Sequence, residues 1–434
     1  MPLDVARDKW RLFLAAFGVI ALLTKTDPGS AHELSRYGTV ESLVDRGTFQ
    51  LDDSSFIGTI DKIYRDGHYY SHQTPLLTVL EAPVYWAINL PGIRFNNRGR
   101  FVMTYGFILL TNGLALALTV VAFARLLGQV GVDERVRSWL APLMIFGTWL
   151  LPYGIVSNNH GISAMLVAVL INALLQVRSE GVTNARVIAL GGALGVLAAI
   201  ELLPLVSFVP LTVAYLATHG LSAMGWLRFS AACALPLLVQ SIFNVRITGD
   251  VIPAGFHHEL LSYDGSAFDA SSLSGTLKFT SSGAAADYAW TALFAGKGFF
   301  TFSPLLLLSL IAAITTWRWW ARARGVQLVM VGSIILSLGA SIVTTNNYGG
   351  EAVGFRHAVY LAPAFLVLLL PWLAATSAMR SLVIGAAALS ALSMVLFAVR
   401  QPWSALTLSN AAIGSWDQYL PLVGKVVSGN LFNP

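Results

Sequence analysis

One cysteine, Cys233, and a charged fraction of 11% in 434 residues mark what this chain has little of. A single thiol excludes a disulfide framework. Soluble domains are about a quarter charged, so charge this sparse excludes an ordinary soluble globule. The chain also has no Walker sequence, no dinucleotide glycine pattern after a strand and no zinc spacing. A nucleotide-driven pump is therefore not indicated. No internal repeat or low-complexity tract stands out. What is present is apolar: 56% of the residues are hydrophobic. That is the composition of a polytopic membrane protein. The net charge of +5 does not point to nucleic acid, because in such a protein the position of each charge matters more than the sum.

Eleven apolar runs cover roughly 11–24, 101–124, 138–156, 160–177, 187–202, 204–218, 228–245, 303–317, 326–345, 358–375 and 381–399. Each comes near the ~20 residues that cross a bilayer. Arg7, Lys9 and Arg11 precede the first run and put the N-terminus in the cytoplasm. That run resembles a signal-peptide core, but no convincing small-residue cleavage site follows, so it is read as retained. The segment 76–92 is short and broken by Pro83, Pro91 and Glu81, and is expected to lie along the interface. The loops 125–137, 178–186, 219–228, 318–325 and 376–380 then hold ten arginines and face the cytoplasm. Seven of the eight histidines and seventeen of the 22 carboxylates fall on the other side. The expected chemistry is therefore on the outer face. One transmembrane domain, 1–434, would carry three outer segments: 25–100, 246–302 and 400–434. In the first, Ser35–Arg46 reads as an amphipathic helix with Leu34, Val40, Leu43 and Val44 on one side. Asp52-Asp53 and Asp66-Gly67 read as turns.

Several polar clusters on that side carry chemistry. Asn346 to His357 is a twelve-residue stretch rich in Asn, Gly and charge between two apolar runs, with Asn347, Tyr348, Arg356 and His357 as binding candidates. His32-Glu33-Leu34-Ser35-Arg36-Tyr37 follows the first run. A carboxylate at a membrane surface is partly desolvated and more basic, which suits a general base. An acidic first turn of a helix gives the same pattern. Asp27 is the nearby alternative. Tyr70 and His72, in the Asp66–Pro75 stretch, suit a phosphate or sugar, or equally an aromatic belt. His160 opens an apolar helix beside Asn158 and Asn159, where backbone amides favour anions. Glu201 lies between two half-length runs, where a carboxylate is costly unless paired or solvated. Lys297, between two glycines, reads as a snorkelling cation.

On these residues the chain resembles the GT-C glycosyltransferases, polytopic enzymes that use polyprenyl-phosphate sugars. Glu33, Arg36 and Tyr37 match the acidic region after the first span in lipid A aminoarabinose transferases and protein O-mannosyltransferases, with Glu where Asp is usual. Gly67 to Pro75 is similar to the segment opening their second juxtamembrane helix. Asn158-Asn159-His160 falls where the family has polar residues in its second outer loop. Asn346 to His357 resembles the Asn-Tyr-Gly-Gly…Gly-x-Arg-His run of family 39-like transferases. His72-Gln73 departs from the family's acidic-Lys pair, removing a phosphate-contacting lysine. The resemblance implies an all-α bundle of about eleven transmembrane helices, with juxtamembrane helices in the first outer loop. It implies inverting sugar transfer from a polyprenyl-phosphate donor to a glycan, lipid or protein acceptor, at the outer face of a bacterial plasma membrane. Glu33 would be the base, and Arg356 and His357 would hold the phosphate. A divalent metal is admitted but not required. The competing reading is a lipid or solute transporter or flippase, which needs charges or broken helices near the midplane. A scaffold of envelope assembly is a third.

Overall fold

The structure, a computed structural model, describes residues 3–269, 272–274, 276–350, 352–399 and 402–403. Glu351 and nearly all of the expected outer segment 400–434 lie outside the described residues.

Helix α1 (Leu3–Leu23) supplies the first apolar run. The first loop folds into α2 (Ala31–Arg46), strands β1 (Lys62–Arg65) and β2 (His68–Ser71), and α3 (Pro75–Asn89). Next, α4 (Arg100–Ile108) passes through a π-helical turn at Leu109–Gly113 into α5 (Leu114–Gln129). Then come α6 (Glu134–Phe146), the short α7 (Leu150–Gly154), α8 (His160–Glu180), α9 (Asn184–Ile200), α10 (Phe208–Ala217) and α11 (Ala223–Thr248). The second large loop carries α12 (His258–Leu261) and α13 (Ser282–Leu293). The remainder is α14 (Pro304–Thr315), α15 (Arg324–Thr344), a 3-10 turn at Arg356–Leu361 that runs into α16 (Ala362–Val367) and α17 (Leu370–Ala374), and α18 (Ser377–Val399).

The fold is an all-α, multi-pass membrane bundle, and every one of the eleven apolar runs is helical. Among the described residues six helical units are long and apolar enough to cross a membrane unaided; α9, α10 and α14 are shorter. Small residues let the helices close up. A Cβ on Gly191 would stand 2.4 Å from the Phe229 carbonyl, and one on Gly195 would stand 2.3 Å from that of Cys233. Spaced four apart, these glycines allow α9 and α11 to touch along their backbones.

Segment 76–92 forms α3, whose 15 residues extend ~22 Å and fall short of the ~30 Å hydrocarbon core. It packs on α2 instead. The Tyr85 hydroxyl and the Asn89 amide both donate to Asp45, at 3.1 and 3.0 Å. Tyr37, Phe56, Tyr85, Phe95 and Phe107 form a separate aromatic core beneath the pair. Trp86, on the other side of α3, is 56% exposed.

Two sequence readings need correction. The amphipathic helix starts at Ala31 rather than Ser35, because Ser30 caps it: its hydroxyl accepts from the Glu33 amide at 3.3 Å. The Glu33 carboxylate reaches back to the Gly29 amide at 2.7 Å, completing a reciprocal cap. The turn at Asp66-Gly67 closes a β-hairpin that the reading did not include, with Lys62 opposite Ser71 and Arg65 opposite His68. Both turn residues have positive φ, 51° and 88°, as a two-residue hairpin turn of the primed type requires.

The topology makes a testable prediction. With Cys233 replaced by Ser, Glu180→Cys at the far end of α8 should resist an impermeant thiol reagent in intact cells. Asp264→Cys in the second large loop should react. The opposite pattern would turn the molecule over and move the polar end to the cytoplasm.

Candidate active site

Loops from distant parts of the chain meet at one end of the bundle, beneath α2 and α3. They enclose a cavity of about 130 Å³. The first loop contributes His32, Arg36 and Gln73 to its wall; the α7–α8 link contributes Ser157, Asn158, Asn159 and His160. Glu201, Arg356, His357 and Trp403 complete it.

Local structure explains each position. His32 and Arg36 are four apart on α2 and share a face. The Asn158 side chain accepts from the amides of His160 and Gly161 at 2.8 and 3.3 Å, which sets the start of α8. Glu201 ends α9, where the helix dipole opposes a carboxylate. It is held by His160 Nδ1 at 2.8 Å. Arg356 and His357 begin the 3-10 turn after a glycine-rich loop. Lys297 pins that loop by donating to the carbonyls of Gly350 (2.7 Å) and Ala352 (2.5 Å). The Tyr153 hydroxyl donates to the Val353 carbonyl at 2.7 Å, and the Val353 amide donates to that of Pro402 at 2.7 Å, bringing Trp403 to the cavity.

The wall is cationic, with two arginines, three histidines and one carboxylate. Arg36 is buried, yet its nearest carboxylate oxygen, on Glu81, is 3.8 Å from Nε, too far for a hydrogen bond. Arg36 Nε and Nη1 and both Glu81 oxygens have no partner among the described residues. Burial pushes the Glu81 carboxyl up to about 7, with Arg36 pulling the other way. Arg356 Nη2 donates to His32 Nε2 at 2.9 Å, and no described carboxylate pairs with Arg356 directly. His357 Nε2 is likewise buried without a partner among the described residues. Unspent donors on a cationic wall suit an anionic, oxygen-rich ligand.

Of the residues singled out from sequence, Arg36, His160, Glu201, Arg356 and His357 meet at this cavity. Glu33 stands just behind the wall, fully buried; its second oxygen accepts from the Ser157 amide at 2.9 Å. Burial pushes its carboxyl up to about 7, against the hydrogen bonds it accepts from Gly29, Ser157 and Ser30. Asp27 is partly buried in the link before α2 and accepts from the Thr26 hydroxyl at 3.1 Å. Tyr37 lies in the aromatic core, stacked on Phe95 at 4.8 Å. Tyr70 packs with the small cluster around Ile63 and Leu261. Asn347 shapes its own turn by accepting from the Gly349 amide at 3.0 Å, and Tyr348 stacks on Tyr288 at 4.3 Å. None of these four lines the cavity. His72 does not line it either and instead binds Asp61, with Nδ1 3.4 Å from Oδ1.

Asp61 was not among the sequence candidates. It is buried behind His32 and Gln73, and its Oδ2 lies 3.1 Å from His32 Nδ1. Burial raises the Asp61 carboxyl, but His32 and His72 outweigh it and hold the group well below the usual carboxylate range. Its only sequence signal was an Asp-Lys pair ahead of the hairpin, and Trp403 had none. Among the described residues no three His, Cys, Asp or Glu side chains are grouped to hold a metal ion.

Solved structures share this architecture. The apo oligosaccharyltransferase of Archaeoglobus fulgidus superposes with a TM-score of 0.52 at 13% identity, over 98% of this chain and 60% of that one. Apo ArnT from Cupriavidus metallidurans gives 0.52 at 12% identity, over 98% and 80%. The chain therefore shares the fold of these two membrane proteins. At such identities the likeness is one of fold, and this chain spans about 60% of the oligosaccharyltransferase's length. ArnT bound to undecaprenyl phosphate aligns at a TM-score of 0.49 and 12% identity, over 92% of this chain and 76% of that one. No family model matches the chain, and neither does any curated protein sequence.

Gly354 tests how the glycine-rich loop aims Arg356. Its φ is +66°, and a Cβ there would stand 2.9 Å from the Trp149 ring. Gly354→Ala combines backbone strain with a clash. It should destabilise the protein by on the order of 1–3 kcal/mol, read as a lower melting temperature in detergent. An unchanged melting temperature would show that the loop adapts freely.

Proposed function

We propose that the chain is an integral membrane glycosyltransferase that moves a sugar from a polyprenyl-phosphate donor to an acceptor hydroxyl at the outer membrane face. One observation carries this reading: Arg36 and Arg356 both line one small cavity, and neither spends its donors on a carboxylate hydrogen bond. The guanidinium fork matches phosphate oxygens. The shared fold and the resemblance at Glu33–Tyr37 and Asn346–His357 support it. The acceptor is a glycan, lipid or protein, and the membrane is a bacterial plasma membrane.

In this mechanism the acceptor oxygen attacks the sugar C1 as the C1–O bond to phosphate breaks, inverting that carbon. The negative charge left on the lipid phosphate is received by Arg36, Arg356 and His357. The acceptor proton passes to a carboxylate. Glu33 takes that role by resemblance, and its burial supports it, since a carboxyl titrating near neutral pH is an effective base. It stands behind Ser157, so the acceptor reaches it only when that link yields. A second reading, the base at Glu201, is favoured by one observation: Glu201 itself lines the cavity.

The test is incubation of the purified protein in lipid with a panel of polyprenyl-phosphate sugars, scoring released lipid phosphate. Release from none of them would defeat the transferase reading. With an active donor in hand, Glu33→Gln should cut turnover by roughly 10²–10⁴-fold with little change in donor binding. The ionised form is the base, so the wild-type rate should rise with pH through about 7 and level off above it. Full activity in Glu33→Gln with a dead Glu201→Gln would move the base to Glu201. A dead Asp27→Asn in place of both would move it to Asp27. Arg356→Lys should weaken donor binding while the protein still folds, because the charge remains and the fork is lost.

A further inference from the structure

We propose that Asp61 is a positioning residue: it holds His32 as the Nδ1–H tautomer, which leaves Nε2 to accept from Arg356 and aims that guanidinium into the cavity. Only the consequence for ligand binding rests on the transferase reading; the relay itself does not.

The argument starts from what each group can do. A guanidinium can only donate. The 2.9 Å contact from Arg356 Nη2 therefore needs a lone pair on His32 Nε2. A neutral imidazole with a bare Nε2 carries its proton on Nδ1. That nitrogen faces Asp61 Oδ2 at 3.1 Å, and Asp61 is buried and held as a carboxylate. Gln73 Nε2 donates to the same oxygen at 2.5 Å and also lies within hydrogen-bond reach of His32 Nδ1. Were Nδ1 to accept from Gln73, the proton would sit on Nε2, pointing at a cation. The carboxylate on one side and the guanidinium on the other thus select the same tautomer. His72, with Nδ1 3.4 Å from the second Asp61 oxygen, adds an electrostatic contact from behind.

The interposed imidazole has a physical use. A direct Arg–carboxylate pair would occupy the two-pronged donor edge that an incoming anion needs. Through His32, Asp61 compensates the arginine's charge at a distance and orients it by one bond, leaving the rest of the fork for a ligand. Second-sphere carboxylates fix histidine tautomers in the same way at other sites.

The experiment is nitrogen-15 solid-state NMR of histidine-labelled protein in lipid bilayers, with His32 assigned by its loss in His32→Gln. At neutral pH the wild-type signal should show Nδ1 protonated and Nε2 bare. Asp61→Asn should populate the other tautomer, and Asp61→Glu should restore the first. Binding of undecaprenyl phosphate, followed in parallel, should weaken about tenfold in Asp61→Asn and in His32→Gln. The double variant should be no worse than the weaker single variant, as expected of two residues acting in series. Melting temperatures in detergent identify variants that misfold, and Asp61→Glu then carries the comparison. A proton on Nε2 in the wild type overturns the proposal. So does an Asp61→Asn protein with unchanged tautomer, or additive losses in the double variant. The predicted tautomer change in a wild type with no affinity for undecaprenyl phosphate supports the relay and counts against the transferase reading instead.

Discussion

A guanidinium taken out of water must be met by acceptors or by charge, and the polar end of this bundle is organised around two of them. Arg36 and Arg356 come from opposite ends of the chain and reach one cavity. Among the described residues neither has a close carboxylate. Glu81 stays at 3.8 Å from Arg36, and Asp61 reaches Arg356 only through His32. The surrounding architecture serves that arrangement. The glycine loop, pinned by Lys297, delivers Arg356 at a fixed angle. The reciprocal cap at Ser30 and Glu33 sets the register of α2, which puts His32 and Arg36 on one face.

The bilayer explains why so much structure is spent on the first loop. Helices as short as α2 and α3 gain little from lipid and need a core of their own. The aromatic cluster of Tyr37, Phe56, Tyr85, Phe95 and Phe107 supplies it. Glu33 then ties this first-loop module to the bundle, with one carboxylate oxygen on its own helix start and the other on the Ser157 amide. The polar groups sit on links and helix ends, held by a rigid scaffold of packed helices, which is where sites are built. The same bond makes Glu33 both a structural tie and a buried carboxyl shifted toward neutral pH, so these roles are separable only by measuring stability and turnover together.

Much of the architecture was legible in the sequence. Helix positions follow from apolar runs, and α3, interrupted by proline and Glu81, is too short at 15 residues to span a bilayer alone. The late start assigned to α2 followed the apolar positions, although Ser30-x-x-Glu33 is itself a helix-start pattern. The hairpin was signalled by Asp66-Gly67 but has too few alternating residues to stand out. Of the charged or histidine residues singled out in the apolar chain, Arg36, His160, Glu201, Arg356 and His357 line the cavity. Position within the same polar stretches also selected Tyr37, Tyr70, Asn347 and Tyr348, whose rings and amides pack or shape turns away from the cavity.

By itself the sequence determined that the chain lies in a membrane, where its helices run, and that its titratable groups gather at one end. Those properties depend on local composition, which accumulates along the chain regardless of how distant parts meet. The tertiary structure alone decided which group meets which. His32 and Arg356 are 324 residues apart and share a hydrogen bond, and Asp61 gains its role only because a hairpin folds it behind them. Electrostatic and hydrogen-bond energies fall off within a few ångströms, so a partner's identity is a property of the packed molecule and leaves no periodic trace in the chain.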